Sequence, residues 1–558
     1  MPERPNGTVS KTVVGVCLPW VQIPPLPPHH AVSPSDSPLV NDVERHAVIG
    51  RYLAAMRTVG DAVVDGAPLR DSLRDGAIDL WAASEIRESS QWRDASLPEQ
   101  IMALANRSDA SPPSPSSRRR SILRAWLAWA RSLIHSLRTP AHDIIDADVV
   151  FVEYWPTASV VDPAHPESWT SPYFGSLPER LRQDGISVGF VHVHSDGPVT
   201  RPPRGVRRRI ASLRNSSMTH HLLADEHSPT VWWSALRVWL RLIRRAPSTS
   251  DIAGQLSANE DASRLWRWWA SKYVSSVFGS HAVRTCLLGE FFGRLVARNK
   301  RTRLWIVAFE GQSWESCLAR QLDAAGATWL PYLHTMMRPW DLRAHTFLAE
   351  HAPSRLAVHG THDRDELSTS GIQLIEVEAL RYQHLGQHVP RLHLNSESSH
   401  QSEKSWLIVG GADCDGSNRE LQAFLAAIEN RGITRRLVVK WHPQCAEPSA
   451  DPRFVITTQP LRTAFADADA VLMVGSAAPL DAYLAGIPSC SFAAASGLST
   501  TPLSDDDYFH LSTDAIDAVM WMAMADARRN QQPPVDRYFV IDGNLPRWRR
   551  IVSGSVAN

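Results

Sequence analysis

Three short stretches carry residue types that can do chemistry, and each directly follows an apolar run that reads as a strand. Glu310-Gly311-Gln312 comes after Leu304-Trp305-Ile306-Val307-Ala308-Phe309. Gly311 lets the chain turn tightly and leaves the Glu310 carboxylate at a strand tip, where it can take a proton from an incoming hydroxyl. The other reading of Glu310 is an acid that only complements a helix dipole, as Glu315 does two residues into the next helix. Position alone leaves both open. His442-Pro443 follows the run 437–441. Pro443 keeps His442 out of the helical region, so its ring can donate to a phosphate or a nucleotide carbonyl, or serve only in a turn. Gly475-Ser476-Ala477 follows Ala470-Val471-Leu472-Met473-Val474 and precedes a helix with Pro479 in its first turn and Gly486 at its stop. Such a small-residue turn aims free backbone N–H groups at an anion. Ser476 either adds a hydroxyl there or is an ordinary N-cap.

The elements that position these residues alternate in kind. Strand-like runs fall at 12–18, 147–153, 186–194, 304–309, 328–334, 356–358 and 372–377. Helical patterns occupy 42–59, 121–137, 313–325 and much of the Trp-rich span 206–299, and Ser/Pro-rich 108–117 reads as a loop. A polar gap at 392–404 has no apolar period and suits a linker. Beyond it a second βα series begins at 405–411, whose end supplies Gly410 and Gly411. The expectation is an α/β protein of two Rossmann-like, doubly wound domains facing a cleft, spanning 1–391 and 405–525, with a tail at 526–558 that packs back on the first.

Composition narrows the function. The chain has 558 residues, too many for one core, and Lys plus Arg equals Asp plus Glu at 58 each, so no global field recruits nucleic acid. Six cysteines stand singly, without CxxC spacing, which reads as buried thiols in a reducing compartment. Residues 1–5 lack a signal pattern and no apolar run reaches membrane-spanning length, so the expected location is cytoplasmic.

Taken together, Glu310-Gly311, His442-Pro443 and Gly475-Ser476 resemble, in that order, the motifs of the GT-B glycosyltransferases of bacterial surface polysaccharide synthesis, in particular CMP-sugar-dependent sialyltransferases and capsular Kdo transferases. Phe309–Glu315, His334-Thr335, Arg338–Arg343 and Glu378–Tyr382 look like a wider family of surface-carbohydrate biosynthesis proteins, over most of the chain from Asp148 to Phe492. Two positions depart from the sialyltransferase pattern: Phe309 stands where a second acid is expected, and Ser476 is followed by Ala477-Ala478. The resemblance implies an inverting, metal-independent transferase without cofactor. Its nucleotide-sugar donor, CMP-linked by preference, meets a glycan or lipid-linked glycan acceptor. Glu310 would be the base, and His442, Pro443, Gly475, Ser476, Ala477, Lys440, Gly410 and Gly411 would form the donor side. Arg338, Arg343, Arg381 and Asp196 are candidates for acceptor or phosphate, or are surface ion-pair residues.

Two further signals stay open. His192-Val193-His194 with Asp196 has the alternation of a metal site, although such histidines are more often satisfied strand residues. Residues 117–138 and 231–245 are basic and aromatic. They read as core helices, or as helices lying in the interface at the inner face of a membrane. The alternatives to a transferase are a non-hydrolysing nucleotide-sugar epimerase and a catalytically silent sugar- or nucleotide-binding subunit of an assembly complex.

Overall fold

The computed structural model of the chain describes residues 42–84, 115–137, 145–155, 170–194, 204–213, 218–337, 342–383, 405–411, 414–442, 445, 451–466, 468–474, 479–492, 501, 503, 505–512, 514–525 and 535–557. The strand expected at 12–18 lies outside them. Seven strands form the first sheet: β1 (Val149–Tyr154), β2 (Val188–Val193), β3 (Thr219–Leu222), β4 (Leu304–Phe309), β5 (Trp329–Leu333), β6 (Arg355–Val358) and β7 (Gln373–Glu376). Six form the second: β8 (Ser405–Gly410), β9 (Arg436–Lys440), β10 (Val455–Ile456), β11 (Ala468–Val474), β12 (Ser489–Phe492) and β13 (Phe509–Ser512). All neighbours are parallel, in the orders β7-β6-β5-β4-β1-β2-β3 and β10-β9-β8-β11-β12-β13.

In each sheet the chain starts at the centre, builds outward on one side, then returns and builds outward on the other. The order reverses between β1 and β4 in the first sheet and between β8 and β11 in the second, and a crevice opens at the carboxyl ends of those strands. The architecture is therefore α/β, with two doubly wound, Rossmann-like sheets. Strand β3 sits inside the span read as helical, because Thr-His-His-Leu lacks an apolar run; β10 and β13 are short edge elements of the same kind.

The helices used below are α1 (Asp42–Asp61), α2 (Pro115–Ser136), α3 (Pro229–Arg245), α4 (Glu260–Phe278), α5 (Ser280–Arg298), α6 (Ser313–Ala324), α7 (Leu342–His351), α8 (Cys414–Asn430), α9 (Pro479–Leu484) and α10 (Pro546–Ala557). Strand β4 is apolar on both faces. Trp305, Val307 and Phe309 join one core with α1 to α7, while Leu304, Ile306 and Ala308 join another. That continuous apolar run is what a parallel strand covered on both sides requires. Tryptophans lock the helical layer: Trp129 meets Trp232 at 5.8 Å and Trp239 at 6.0 Å, and Trp269 meets Tyr52 at 6.1 Å. Helix α3 buries Val231, Ala235, Leu236, Val238, Trp239 and Leu242, so one face of 231–245 belongs to the core, while Trp233 on the other is 47% exposed. No helix among the described residues is long and apolar enough to cross a membrane.

Cysteine usage differs from the sequence expectation. Cys414, at the start of α8, is disulfide-bonded to Cys445, with Cα atoms 5.1 Å apart; Cys286, Cys317 and Cys490 are buried thiols. The pairing escapes a reading by spacing because 31 positions separate the two. Topology brings them together: each follows one of the neighbouring strands β8 and β9.

After the second sheet the chain returns to the first. Leu545, Trp548 and Val552 are buried with Phe151, Ile306 and Tyr332 on the face away from the helical layer. Trp548 Nε1 donates to the Glu378 carbonyl at 2.9 Å. The Glu378 carboxylate accepts the open first-turn N–H groups of Arg547 at 2.9 Å and Trp548 at 3.1 Å. Between the sheets, Met336, Ala379 and Tyr382 share one apolar cluster with Leu480, Tyr483, Tyr508, Tyr538 and Phe539. Trp548→Ala should therefore cost about 3–5 kcal/mol, since it opens a cavity and orphans the Glu378 carbonyl. Urea unfolding would register it as a lower midpoint at unchanged slope, and an unmoved midpoint would mean the helix is not part of this core.

Candidate active site

Parallel register assembles the first-sheet crevice. Phe309 pairs with Leu333. One residue further on, Glu310 and His334 leave their strands side by side, with Glu310 Oε1 3.0 Å from His334 Nε2. Gln312 Nε2 donates to the other Glu310 oxygen at 2.6 Å, and the Tyr154 hydroxyl at the end of β1 donates to Gln312 Oε1. The tips of β1, β4 and β5 thus converge where strand order reverses. The Glu310 side chain is 24% exposed and His334 only 4%, so the carboxylate faces outward with the imidazole behind it. Burial pulls the Glu310 pKa up, but the His334 hydrogen bond and charge, Arg343 and the Gln312 amide outweigh it and lower the pKa to about 2.

Glu315 does more than complement the α6 dipole. Its carboxylate lies buried under the turn and accepts the N–H groups of Glu310, Gly311 and Gln312 at 3.1, 2.8 and 3.1 Å. Burial and the Glu310 charge push its pKa well up, against the pull of those backbone donors and Arg343. Gly311 has φ 71°, and a Cβ there would stand 2.7 Å from the Arg343 carbonyl carbon at the start of α7. Both the left-handed backbone and the close approach demand glycine. Arg343 itself is buried behind the turn, where its charge bears on Glu310 and Glu315.

Behind His334 lies a second network that sequence reasoning did not assign. Glu153, fully buried on β1, accepts from the Ser171 hydroxyl, and Ser171 Oγ in turn accepts from Tyr173 N at 3.1 Å and Phe174 N at 2.9 Å. This turn sets the Tyr173 ring edge-on to His334 at 4.7 Å. On its other side Glu153 Oε1 lies 3.3 Å from His192 Nδ1, and His192 Nε2 lies 3.0 Å from His220 Nδ1. Burial raises Glu153 to about 8, against Ser171 and His334, and lowers His192 and His220 to about 3, so the run is neutral near pH 7. His192 is thus a hydrogen-bonded strand residue. Among the described residues no His, Cys, Asp and Glu side chains group to hold a metal ion. Asp196 lies outside them.

The second-sheet crevice is built from small groups. Gly411 N, just past β8, donates to Val474 O at 2.8 Å and to Ser417 Oγ at 3.0 Å, and Ser417 Oγ donates to Val474 O at 3.1 Å. This stitches β8, β11 and the first turn of α8 together. A Cβ on Gly410 would stand 2.6 Å from the Trp441 ring, so the ring packs flush on that glycine. His442 follows, half-buried, and its carbonyl accepts from Cys445 N at 2.9 Å. The Lys440 ammonium donates to the Gln459 carbonyl past β10. Arg381 stands exposed near both sheets. Desolvation opposes its charge, yet Tyr382, Asp481, Glu310 and Tyr173 outweigh this and hold its pKa above the usual value. Pro443, Gly475, Ser476, Ala477 and Arg338 lie outside the described residues.

The structure therefore brings Glu310, Arg343 and Arg381 together, and the register of β8 and β9 sets Lys440 beside Val409, one residue before Gly410. His334, Gln312, Tyr154 and Tyr173 had no assigned role. The available signal was the ending of two adjacent parallel strands on Glu310 and His334.

Neither a protein-family model nor a curated relative matches the sequence. Among solved structures, UDP-GlcNAc 2-epimerase from Neisseria meningitidis, bound to UDP-GlcNAc, superposes with a TM-score of 0.41 at 9% identity, over 74% of this chain and all (100%) of that one. α,α-Trehalose 6-phosphate synthase from Burkholderia multivorans gives 0.39 at 11%, over 74% and 96%. Phytolacca americana UGT2, complexed with UDP-2-fluoroglucose and pterostilbene, gives 0.36 at 12%, over 74% and 99%. Scores of this size carry no argument about activity; the fold stands on its two sheets.

Two outcomes follow from this geometry. Glu153 holds its proton in the folded protein up to about pH 8 but loses it near pH 4.5 when unfolded, so the unfolded state binds fewer protons between those limits and stability falls as pH rises. Glu153→Gln should flatten that fall. Denaturation of parent and variant at about pH 5 and pH 8 isolates it, because the histidine contributions are common to both. Glu315→Gln should cost about 1–3 kcal/mol, as its amide NH2 replaces an acceptor with a donor: set where Oε1 is, it faces the Glu310 N–H, and flipped, it faces all three. Faster hydrogen exchange at Gly311 is the accompanying signature, and unaltered exchange would show the clamp to be dispensable.

Proposed function

We propose that the chain is an inverting GT-B glycosyltransferase that uses a nucleotide-activated sugar, CMP-linked by preference, to extend a cell-surface glycan. The observation that carries this reading is Glu310 itself: an ionised, partly exposed carboxylate at the reversal point of a doubly wound sheet. In the reaction the acceptor hydroxyl oxygen attacks the anomeric carbon from the side opposite the nucleotide. Its proton passes to Glu310, and the nucleotide phosphate leaves with the bonding electrons. A carboxylate with a pKa of about 2 is a weak base. It suffices because the hydroxyl becomes strongly acidic only as its oxygen bonds to an oxocarbenium-like carbon. His334 and Gln312 hold the carboxylate in place and charged, so no reorganisation is needed at the moment of reaction.

The donor nucleotide is assigned to the crevice of β8 and β11, with His442 and the turn 475–477 against its phosphate. Arg381, charged beside Asp481 and Glu310, meets the negative charge on the leaving group. The acceptor is a glycan or lipid-linked glycan, and peripheral contact with a membrane's inner face suits such an acceptor. Phe309 is buried against Phe347 with ring centres 4.8 Å apart, so the position before Glu310 belongs to the core and a second acid has no place in the chemistry.

Glu310→Gln keeps shape and removes the basic site. Turnover should fall at least about 10²-fold while nucleotide affinity stays within a few-fold of the parent. A thermal-shift comparison of CMP, CDP, UDP and GDP on both proteins identifies the nucleotide and supplies the affinity arm. Near-normal transfer by Glu310→Gln would remove the residue from the role of base, and equal indifference to all four nucleotides would remove the donor assignment.

A further inference from the structure

Helix α2 has two apolar faces where a surface helix normally has one. Ala125, Trp129, Ser132 and Ser136 are buried against the helical layer. On the opposite side Leu123, Leu127, Ala130, Ile134 and Leu137 follow one another at i, i+4, i+7, i+11 and i+14, a single outward stripe. Leu123, Leu127, Ile134 and Leu137 are 61%, 50%, 50% and 71% exposed, and Trp126 beside them 45%. On the neighbouring α3, Trp233 is 47% exposed, next to Trp232, whose Nε1 donates to the Trp129 carbonyl at 3.0 Å. Arg120, Arg124 and Arg131 run exposed along one flank, and α2 contains no acidic residue. Helix α3 likewise has no acid; of its arginines Arg241 is paired with Asp75, and Arg237, Arg244 and Arg245 add to the charge. In a chain whose formal charge is zero, this is a local concentration of positive charge around an exposed apolar ridge.

We infer that the outer face of α2 docks on an anionic phospholipid surface. The apolar stripe enters the acyl boundary while the flanking guanidiniums pair with headgroup phosphates, the arrangement of a helix lying in an interface. A nucleic acid would satisfy the arginines and leave Leu123, Leu127 and Ile134 in water, so the stripe selects lipid. The surface is independent of the transfer chemistry.

The full chain is sedimented with phosphatidylcholine vesicles and with vesicles carrying about a third phosphatidylglycerol, at low and physiological salt. Binding to the anionic vesicles alone is expected, weakened by salt. Leu127→Glu with Ile134→Glu should lower that binding by about ten-fold or more, and Arg120→Gln with Arg124→Gln and Arg131→Gln by a similar factor. The replaced side chains are exposed, so the unfolding midpoint serves as the check that each variant is folded. Three results overturn the inference. The parent stays in the supernatant at low salt. The arginine variant loses binding while the Leu127/Ile134 variant keeps it, which makes the patch a general polyanion site, nucleic acid included. Or the parent ignores vesicles and sediments as an oligomer that the Leu127/Ile134 variant dissociates, which makes a second copy of the chain the occupant.

Discussion

Three successive backbone N–H groups, of Glu310, Gly311 and Gln312, converge on one buried carboxylate, that of Glu315. A strand that turns straight into a helix leaves such donors without partners, and burying them unpaired would cost about 1–3 kcal/mol each. Glu315 answers them from within the helix the turn introduces, so the turn closes on itself. Once it is this tight, α7 can pass against it, and Arg343 comes so near that position 311 has no room for a side chain. Glu310 then stands partly exposed at the strand tip, and its bearing is set by His334 after β5 and by Gln312, itself held by Tyr154 of β1, rather than by its own flexibility.

The two crevices share a winding order and differ in material. The first is crowded with titratable groups, and its environment drives them apart: Glu310 down to about 2, Glu153 up to about 8, His192 and His220 down to about 3. One charge survives at the mouth and a neutral hydrogen-bonded run lies behind it. Such divergence from shared surroundings is a hallmark of sites that move protons. The second crevice is lined by Gly410, Gly411 and Ser417, where backbone rather than side chains meets whatever enters.

Much of the fold could be read from the chain because parallel strands covered on both faces are near-continuous apolar runs; β1, β2, β4, β8 and β11 stand out for that reason. The edge strands β3, β10 and β13 are only two to four residues long, and their identity comes from the neighbour they pair with. The same division holds at the site. Glu310 was legible because a carboxylate after an apolar strand and before a glycine is unusual locally. His334, Tyr173 and Glu153 were not, since their meaning arises from register between β4 and β5 and from a turn at Ser171 that closes over β1. For Lys440 the sequence gives its place at a strand end but not that its ammonium reaches the Gln459 carbonyl. Cys414 and Cys445 became partners only once β8 and β9 were adjacent.

Helix α10 fills the face of the first sheet, yet it is encoded after the whole of the second. A ribosome makes the chain from the amino end, so Phe151, Ile306 and Tyr332 have no cover until residues 546–552 have emerged. The first sheet can wind as it is synthesised but cannot seal, and for that interval it exposes an apolar floor to every other chain nearby. On the side of the second sheet Leu480, Tyr483 and Phe509 wait likewise for Tyr538 and Phe539. The half of the molecule that carries Glu310 is made first and sealed last.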